Sequence, residues 1–232
     1  MRFQHSADIW RDFPALVPGV IYAEGITSHV STEAAAGRYS TLARSRLAVG
    51  PESELPEIQA WRRAFAKLGL KPTQYRCAAE SLLRRFRKEG SLPRLHPLVD
   101  LCNAVSLAFA IPVAVLDVSM IAGGIEVRYA TGAEEYLTFA GELEHPAPGE
   151  VIFADEAGRA HARRWTNRQS GLSAVKDSTT AALIVAEALH DEAALDITRL
   201  TAAVAADIEA LWSVTPSAAI LTASSPRFTF AP

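Results

Sequence analysis

At Pro112 the chain changes its hydrophobic period, and that switch limits what it can fold into. Before it, apolar residues recur at three- and four-residue steps, the spacing of one helix face. Leu55, Ile58, Trp61 (or Arg62), Phe65 and Leu68 form one such stripe, begun by Ser53 as N-cap candidate and stopped by Gly69. A second helix is predicted from Thr73 or Gln74 to Lys88, with Leu82, Leu83 and Phe86 inward and Gly90 as its stop. After a loop over Ser91–Pro97, a third runs from Leu98 to Ala110.

Beyond Pro112 the pattern becomes period two and β-branched. Strands are predicted at 112–117, 124–130, 135–139, 150–155, 159–165 and 181–187. Gly123-Gly124 and Glu156-Ala157-Gly158 read as hairpin turns. Asp196 or Thr198 opens a last helix through Trp212, and a final strand follows near Ala218–Thr222. Before the helices, a strand is expected near Val20–Ala23, and residues 27–50 read as a mixed surface segment. The order, helices clustered in the N-terminal half and β-hairpins in the C-terminal half, gives one α+β domain over residues 1–232.

The 232 residues are 49% hydrophobic and 21% charged, enough to bury a core without a metal or disulfide. The two cysteines, Cys77 and Cys102, form no CxxC and fit a reducing compartment. The N-terminal residues carry no apolar leader pattern, and no stretch is long enough to cross a bilayer. A cytoplasmic protein is expected, with no membrane or DNA partner, no metal and no cofactor. P-loop, GxGxxG, HExxH and GxSxG patterns are absent from the sequence.

The net charge of −3 hides an asymmetry. Residues 62–94 hold ten Lys/Arg against Glu80 and Glu89, a block of +8, while the rest holds 13 basic and 24 acidic residues. Arg84, Arg85 and Arg87 are the block's candidate phosphate contacts; the alternative is a solvated helix face.

Four segments in order carry a resemblance. Leu83–Asp117 reads LRRFRKEGSLPRLHPLVDLCNAVSLAFAIPVAVLD, with Val99, Asp100, Asn103, Pro112 and Asp117 as its key positions. GGIEVRYATGAEEY, then GEVIFADEAGRAHARRWTNRQS, then Asp177–Leu189 follow. Over about residues 75–190 the series resembles the B3/B4 domain, the aminoacyl-tRNA editing module of the phenylalanyl-tRNA synthetase beta subunit, and weakly so from Phe13 to Gly25. The resemblance implies an α+β module that binds the 3′ end of aminoacylated tRNA. In the synthetase the module hydrolyses a mischarged ester, clearing tyrosine from phenylalanine tRNA.

The match also marks departures. The synthetase's histidine position is Ala114, its Thr-Asn pair is Cys102-Asn103, and its hydroxyl-sensing carboxylate aligns near Val185, with Glu187 two residues on and on the same strand face. Asn103 becomes the catalytic candidate, as oxyanion donor or else as a structural residue at its helix start. Arg164, Trp165, Arg168 and Gln169 are candidates for clamping phosphate or carboxylate and stacking on adenine; Arg163 joins that polar cluster, whose alternative is pairing with Asp155 and Glu156. Thr179 and Thr180 are candidates for a terminal ribose, and Glu187 for the aminoacyl side chain. Cys102 reads as core, since no base or cation beside it would make a thiolate. Asn103 and Arg168-Gln169 are expected to converge on one pocket. The implied function is recognition of aminoacyl-tRNA with trans-editing deacylation; the alternative is a non-catalytic module for RNA or an amino-acid-like ligand.

Overall fold

A computed structural model of the chain describes residues 1–231. In chain order the elements are β1 (Arg2–His5), α1 (Ala7–Asp12), β2 (Val17–Glu24), α2 (Glu33–Val49), α3 (Pro56–Lys67), α4 (Ala78–Glu89), α5 (Pro97–Phe109) and β3 (Val113–Asp117). Then come β4 (Gly124–Tyr129), β5 (Tyr136–Leu137), β6 (Leu143–Glu144), β7 (Val151–Asp155), β8 (Ala160–Arg163), β9 (Arg168–Gln169), β10 (Ala181–Ala188), α6 (Ala193–Trp212), β11 (Ser217–Ile220) and β12 (Arg227–Thr229).

The strands build a four-stranded antiparallel sheet, β11-β2-β10-β3, and a six-stranded sheet, β12-β1-β4-β7-β8-β9; β5 and β6 form a separate hairpin. The class is α+β. Period-two alternation along β10 divides the four-stranded sheet between two cores. Ala182, Ile184, Ala186 and Ala188 pack with α2, α5 and α6. Leu183 and Val185 face the other way, into a core shared with Phe3, Val127 and Phe153 of the six-stranded sheet and with Trp61 and Leu83 of α3 and α4. Helix α6 lies close on β2: a Cβ added at Gly19 would stand 2.4 Å from Thr201 Oγ1, so only glycine fits there.

The structure corrects several expectations. Residues 33–49 of the supposed surface segment form α2, whose buried stripe is only Ala35, Tyr39 and Ala43, four residues apart and mostly small. Residues 72–74 form a turn and 75–77 an irregular stretch, with Gln74 and Tyr75 bonded to the Lys71 carbonyl, so α4 begins later than expected. Gly123-Gly124 is not a hairpin, because β3 and β4 belong to different sheets. A Cβ on Gly124 would meet the Arg2 carbonyl at 2.4 Å, so this glycine serves the close approach of β1. Helix α6 starts at Ala193, ahead of both expected starts, and β5 covers two residues of its predicted five. β1, α1 and β12 carry no expectation from sequence at all. The Glu156–Gly158 hairpin is present, joining β7 to β8 antiparallel. Among the described residues no helix is long and apolar enough to cross a membrane.

Three carboxylates couple this fold to pH. Burial alone would raise Glu134, yet bonds from the Arg128 guanidinium (2.5 Å) and the Thr131 N–H outweigh it and hold Glu134 at about 2. Glu150 beside Arg163, and Asp155 beside His161 and Arg159, are likewise held below the usual range against their burial. A depressed carboxylate stabilises the fold above its unfolded pKa and loses that contribution as pH falls through the folded one. The melting temperature is therefore expected to slip a little between pH 7 and 5, where the buried His96 resists protonation, and to fall much more steeply below about pH 4.5. A melt at pH 3 matching that at pH 6 would contradict this reading.

Candidate functional site

A deeply buried carboxylate lies where β10 ends beside β1, α3 and the turn after β8. Glu187, 1% exposed, accepts a bond on Oε1 from Trp165 Nε1 at 3.0 Å, and the same oxygen lies 2.6 Å from His5 Nε2. Its main-chain carbonyl accepts from Trp61 Nε1 at 3.2 Å. A carboxylate this deep needs such partners, since leaving it bare costs several kcal/mol. Oε2 has no hydrogen-bond partner among the described residues.

Trp165 reaches this position through backbone strain. Arg164 and Trp165 both adopt left-handed φ, +47° and +56°, which costs side-chain-bearing residues of order 1–3 kcal/mol each. The kink swings the indole inward, where it meets Trp61 and Phe13 edge-on at 4.9 and 4.8 Å. Trp165 is fully buried, so the expected adenine stack on its ring does not occur as the fold stands. Arg164 instead caps the Tyr75 ring at 4.8 Å.

Beside Glu187 is a cavity of about 60 Å³, lined among others by Ala114, Val185, Glu187, Trp165 and Gln169, with Arg168 at its edge. Ala114 and Val185 are direct partners across β3 and β10, and Glu187 follows on the same face. The histidine position, Ala114, and the carboxylate position, Val185 with Glu187, thus share one wall, while the Cys102-Asn103 position does not reach it. Gln169 is fixed by donating Nε2 to the Val115 carbonyl at 2.7 Å, and the buried Thr166 hydroxyl, also on the lining, has no protein partner. A space of this size holds a few waters or a small side chain. Neither thiol serves this cavity: burial pushes both Cys77 and Cys102 up to about 12, and neither is on the lining.

The other candidates lie apart. Asn103 does not converge with Gln169: it lines a separate cavity of about 350 Å³ between α2, α5 and the loop after α4, on the far side of the four-stranded sheet. The reason is rotational, since α5 is buried almost all round and its sequence does not say which face meets the sheet. His96 caps α5, accepting the Leu98 N–H at 3.2 Å, and burial lowers its pKa. Thr179 donates to Asp117 at 2.6 Å inside the protein, whereas Thr180 is exposed. Arg168 pairs with Glu144 at 3.2 Å, and Arg163 with Glu150 and Glu144 rather than with Asp155 or Glu156. Asp155 is taken by Arg159 and His161, and Glu156 by Arg2.

The basic block is partly spoken for. Arg84 and Arg87 converge on the buried Glu52 at 3.7 and 2.9 Å, and Arg85 pairs with Glu89. Lys88 has no ion pair among the described residues. Among those residues Glu57, His190 and Asp196 also gather within metal-ligand reach. Arg46, however, bonds both oxygens of Glu57 at 2.6 and 2.8 Å and already supplies the cation.

His5 is the site residue that sequence reasoning missed. It meets Glu187 from 182 positions away, and only the pairing of β1 with β4 carries it there.

The fold and site define an α+β domain with a small, partly polar cavity between its two sheets. The sequence matches the B3/4 domain over residues 60–203, and the chain belongs to that family. It is 34% identical over 76 residues to the phenylalanine–tRNA ligase beta subunit of Cereibacter sphaeroides, a match spanning 33% of this chain and 9% of the relative. It is 33% identical over 81 residues to the same subunit of Coxiella burnetii, across 35% of this chain and 10% of that one. The matches thus cover about a tenth of these curated relatives. Among solved structures, an N-terminal fragment of the phenylalanyl-tRNA synthetase beta subunit from Pyrococcus horikoshii aligns with 92% of this chain and 49% of its own, at a TM-score of 0.48 and 8% identity.

Proposed function

We propose that this chain recognises the aminoacyl end of tRNA, taking the aminoacyl group into the cavity at Ala114 and Glu187. The observation that carries the reading is the shared wall of Ala114, Val185 and Glu187, the positions that resemble the family's editing site. Helix α4 supports it. The Ala78 N–H at its start bonds the Thr166 carbonyl on the cavity lining, and Arg85 and Lys88 follow about 10 and 15 Å further along the axis. An acceptor stem lying along α4 would bring its 3′ end to the cavity.

Ester hydrolysis is slow in this reading. Ala114 offers no imidazole, and Glu187 Oε1 is held by His5 and Trp165. A general acid–base group typically contributes 10²–10⁴-fold, and that contribution is missing. What remains is positioning by Gln169 and by fixed donors.

The RNA face is tested by salt. The binding constant for tRNA is expected to fall linearly with log salt, and the double variant Arg85→Gln, Lys88→Gln to reduce the slope by about 2. Arg84 and Arg87 are poor test positions, because neutralising them strips the buried Glu52 of its cations. Absence of tRNA binding by the wild-type chain at low salt would remove this reading.

A further inference from the structure

We propose that Phe139 is the stacking platform for the terminal nucleobase of the bound RNA, a role that rests on the function proposed above. An aminoacyl group enters a site still esterified to a nucleoside. A cavity of about 60 Å³ cannot take that nucleoside as well, so the base and ribose must lie at the mouth. An open groove of about 370 Å³ lies there, lined among others by Tyr136, Phe139, Glu144, Arg168 and Gln169. Arg168 and Gln169 line both spaces, so the groove and the cavity adjoin at β9.

Phe139 is 72% exposed at the tip of the β5–β6 hairpin and lines the groove, so its ring is open to a partner there. The tip is held in place. Thr138 N–H donates to the Glu142 carbonyl at 2.8 Å, Glu142 N–H to Thr138 Oγ1 at 3.0 Å, and Gly141 turns the chain with φ +85°. The segment after β9 presses under it: Gly171 N–H and Ser170 Oγ both donate to the Leu137 carbonyl, at 2.9 and 2.8 Å. A Cβ on Gly171 would stand 2.9 Å from the Thr138 carbonyl and 3.3 Å from Phe139 Cα. The ring is therefore presented by a braced backbone. On the same groove lining, the Arg168 guanidinium lies 5.3 Å from the Tyr136 ring centre, and its side chain is 40% exposed. An exposed aromatic with a neighbouring arginine is the pairing that holds single-stranded bases by stacking and charge.

The test compares two RNA minihelices, each carrying an aminoacyl group through a non-hydrolysable 3′-amide, one with its terminal base and one abasic at that nucleoside. Wild type is expected to favour the base-bearing RNA about 10-fold, the size of one base–aromatic stack. Phe139→Ala is expected to abolish the preference and Phe139→Trp to keep it; the position is at the surface, so both variants should melt like wild type. Three results would overturn the inference: no preference in wild type, a preference that survives Phe139→Ala, or a dimer that depends on Phe139 with no change in RNA binding. Wild type that favours aminoacylated over uncharged minihelix yet ignores the terminal base would sink the platform alone. Wild type that cannot tell aminoacylated from uncharged RNA would sink the proposed function with it.

Discussion

Replacing Glu187 with alanine is expected to destabilise the domain by about 3–5 kcal/mol, the usual loss when one partner of a buried pair is removed. Oε1 satisfies two buried donors at once, His5 Nε2 at 2.6 Å and Trp165 Nε1 at 3.0 Å. Each bare donor costs roughly 1–3 kcal/mol. The loss reaches further than two bonds, because Trp165 keeps its left-handed backbone only while its indole is packed and paired. Glu187→Gln keeps an oxygen that can accept from both donors, losing only the charge, and should cost well under half as much. In a chain of this length the alanine variant should melt roughly 10 °C lower. A drop below about 1 kcal/mol in urea titrations would mean the His5–Glu187–Trp165 network is not what holds β10 to β1.

The second large effect is a gain. Ala114→His restores an imidazole at the family's histidine position, on the cavity wall it shares with Val185. It should raise deacylation of aminoacyl-tRNA about 10²-fold or more over wild type, the range a positioned general acid–base group supplies. The gain should vanish as pH falls through the histidine's pKa, near 6.5 if unperturbed, since the protonated ring cannot accept a proton. Cys102→Ala should leave the rate unchanged, because that thiol is buried, sits away from the cavity and stays protonated. An Ala114→His protein that folds, binds aminoacylated RNA and still hydrolyses nothing would show that the cavity does not bring the ester carbonyl to residue 114.

The class and most elements were legible because period alone separates α3–α5 from the strands that follow. What stayed hidden had weak periodic signal. The buried stripe of α2 is two alanines and one tyrosine, so nothing in its hydrophobicity marks a face. β1 is four residues long and takes its place only through β4 and β12, more than a hundred positions away. The site divided in the same way. The resemblance pointed to Ala114 and Val185, and strand alternation puts Glu187 on the Val185 face, but that these residues and Gln169 line one cavity came only from the packing of the two sheets. Asn103 was not, because a helix buried on most sides gives no rotational clue. Trp165 was misjudged because two successive left-handed residues at Arg164 and Trp165 reverse the direction its position suggests. The ten cations at 62–94 were counted correctly, but the buried Glu52 that binds two of them lies outside the block.

The central claim, that the Ala114–Glu187 cavity reads an aminoacyl group on RNA, is tested most directly by comparing affinities for one tRNA uncharged and carrying glycyl, alanyl, seryl or tyrosyl groups through a non-hydrolysable amide. At least one aminoacylated form should bind tenfold or more tightly than the uncharged RNA. Ala114→Trp, whose two-ring side chain is far larger than the 60 Å³ space, should erase that difference while leaving uncharged binding unchanged. Equal affinity for all five RNAs, or a preference that survives Ala114→Trp, would contradict the account.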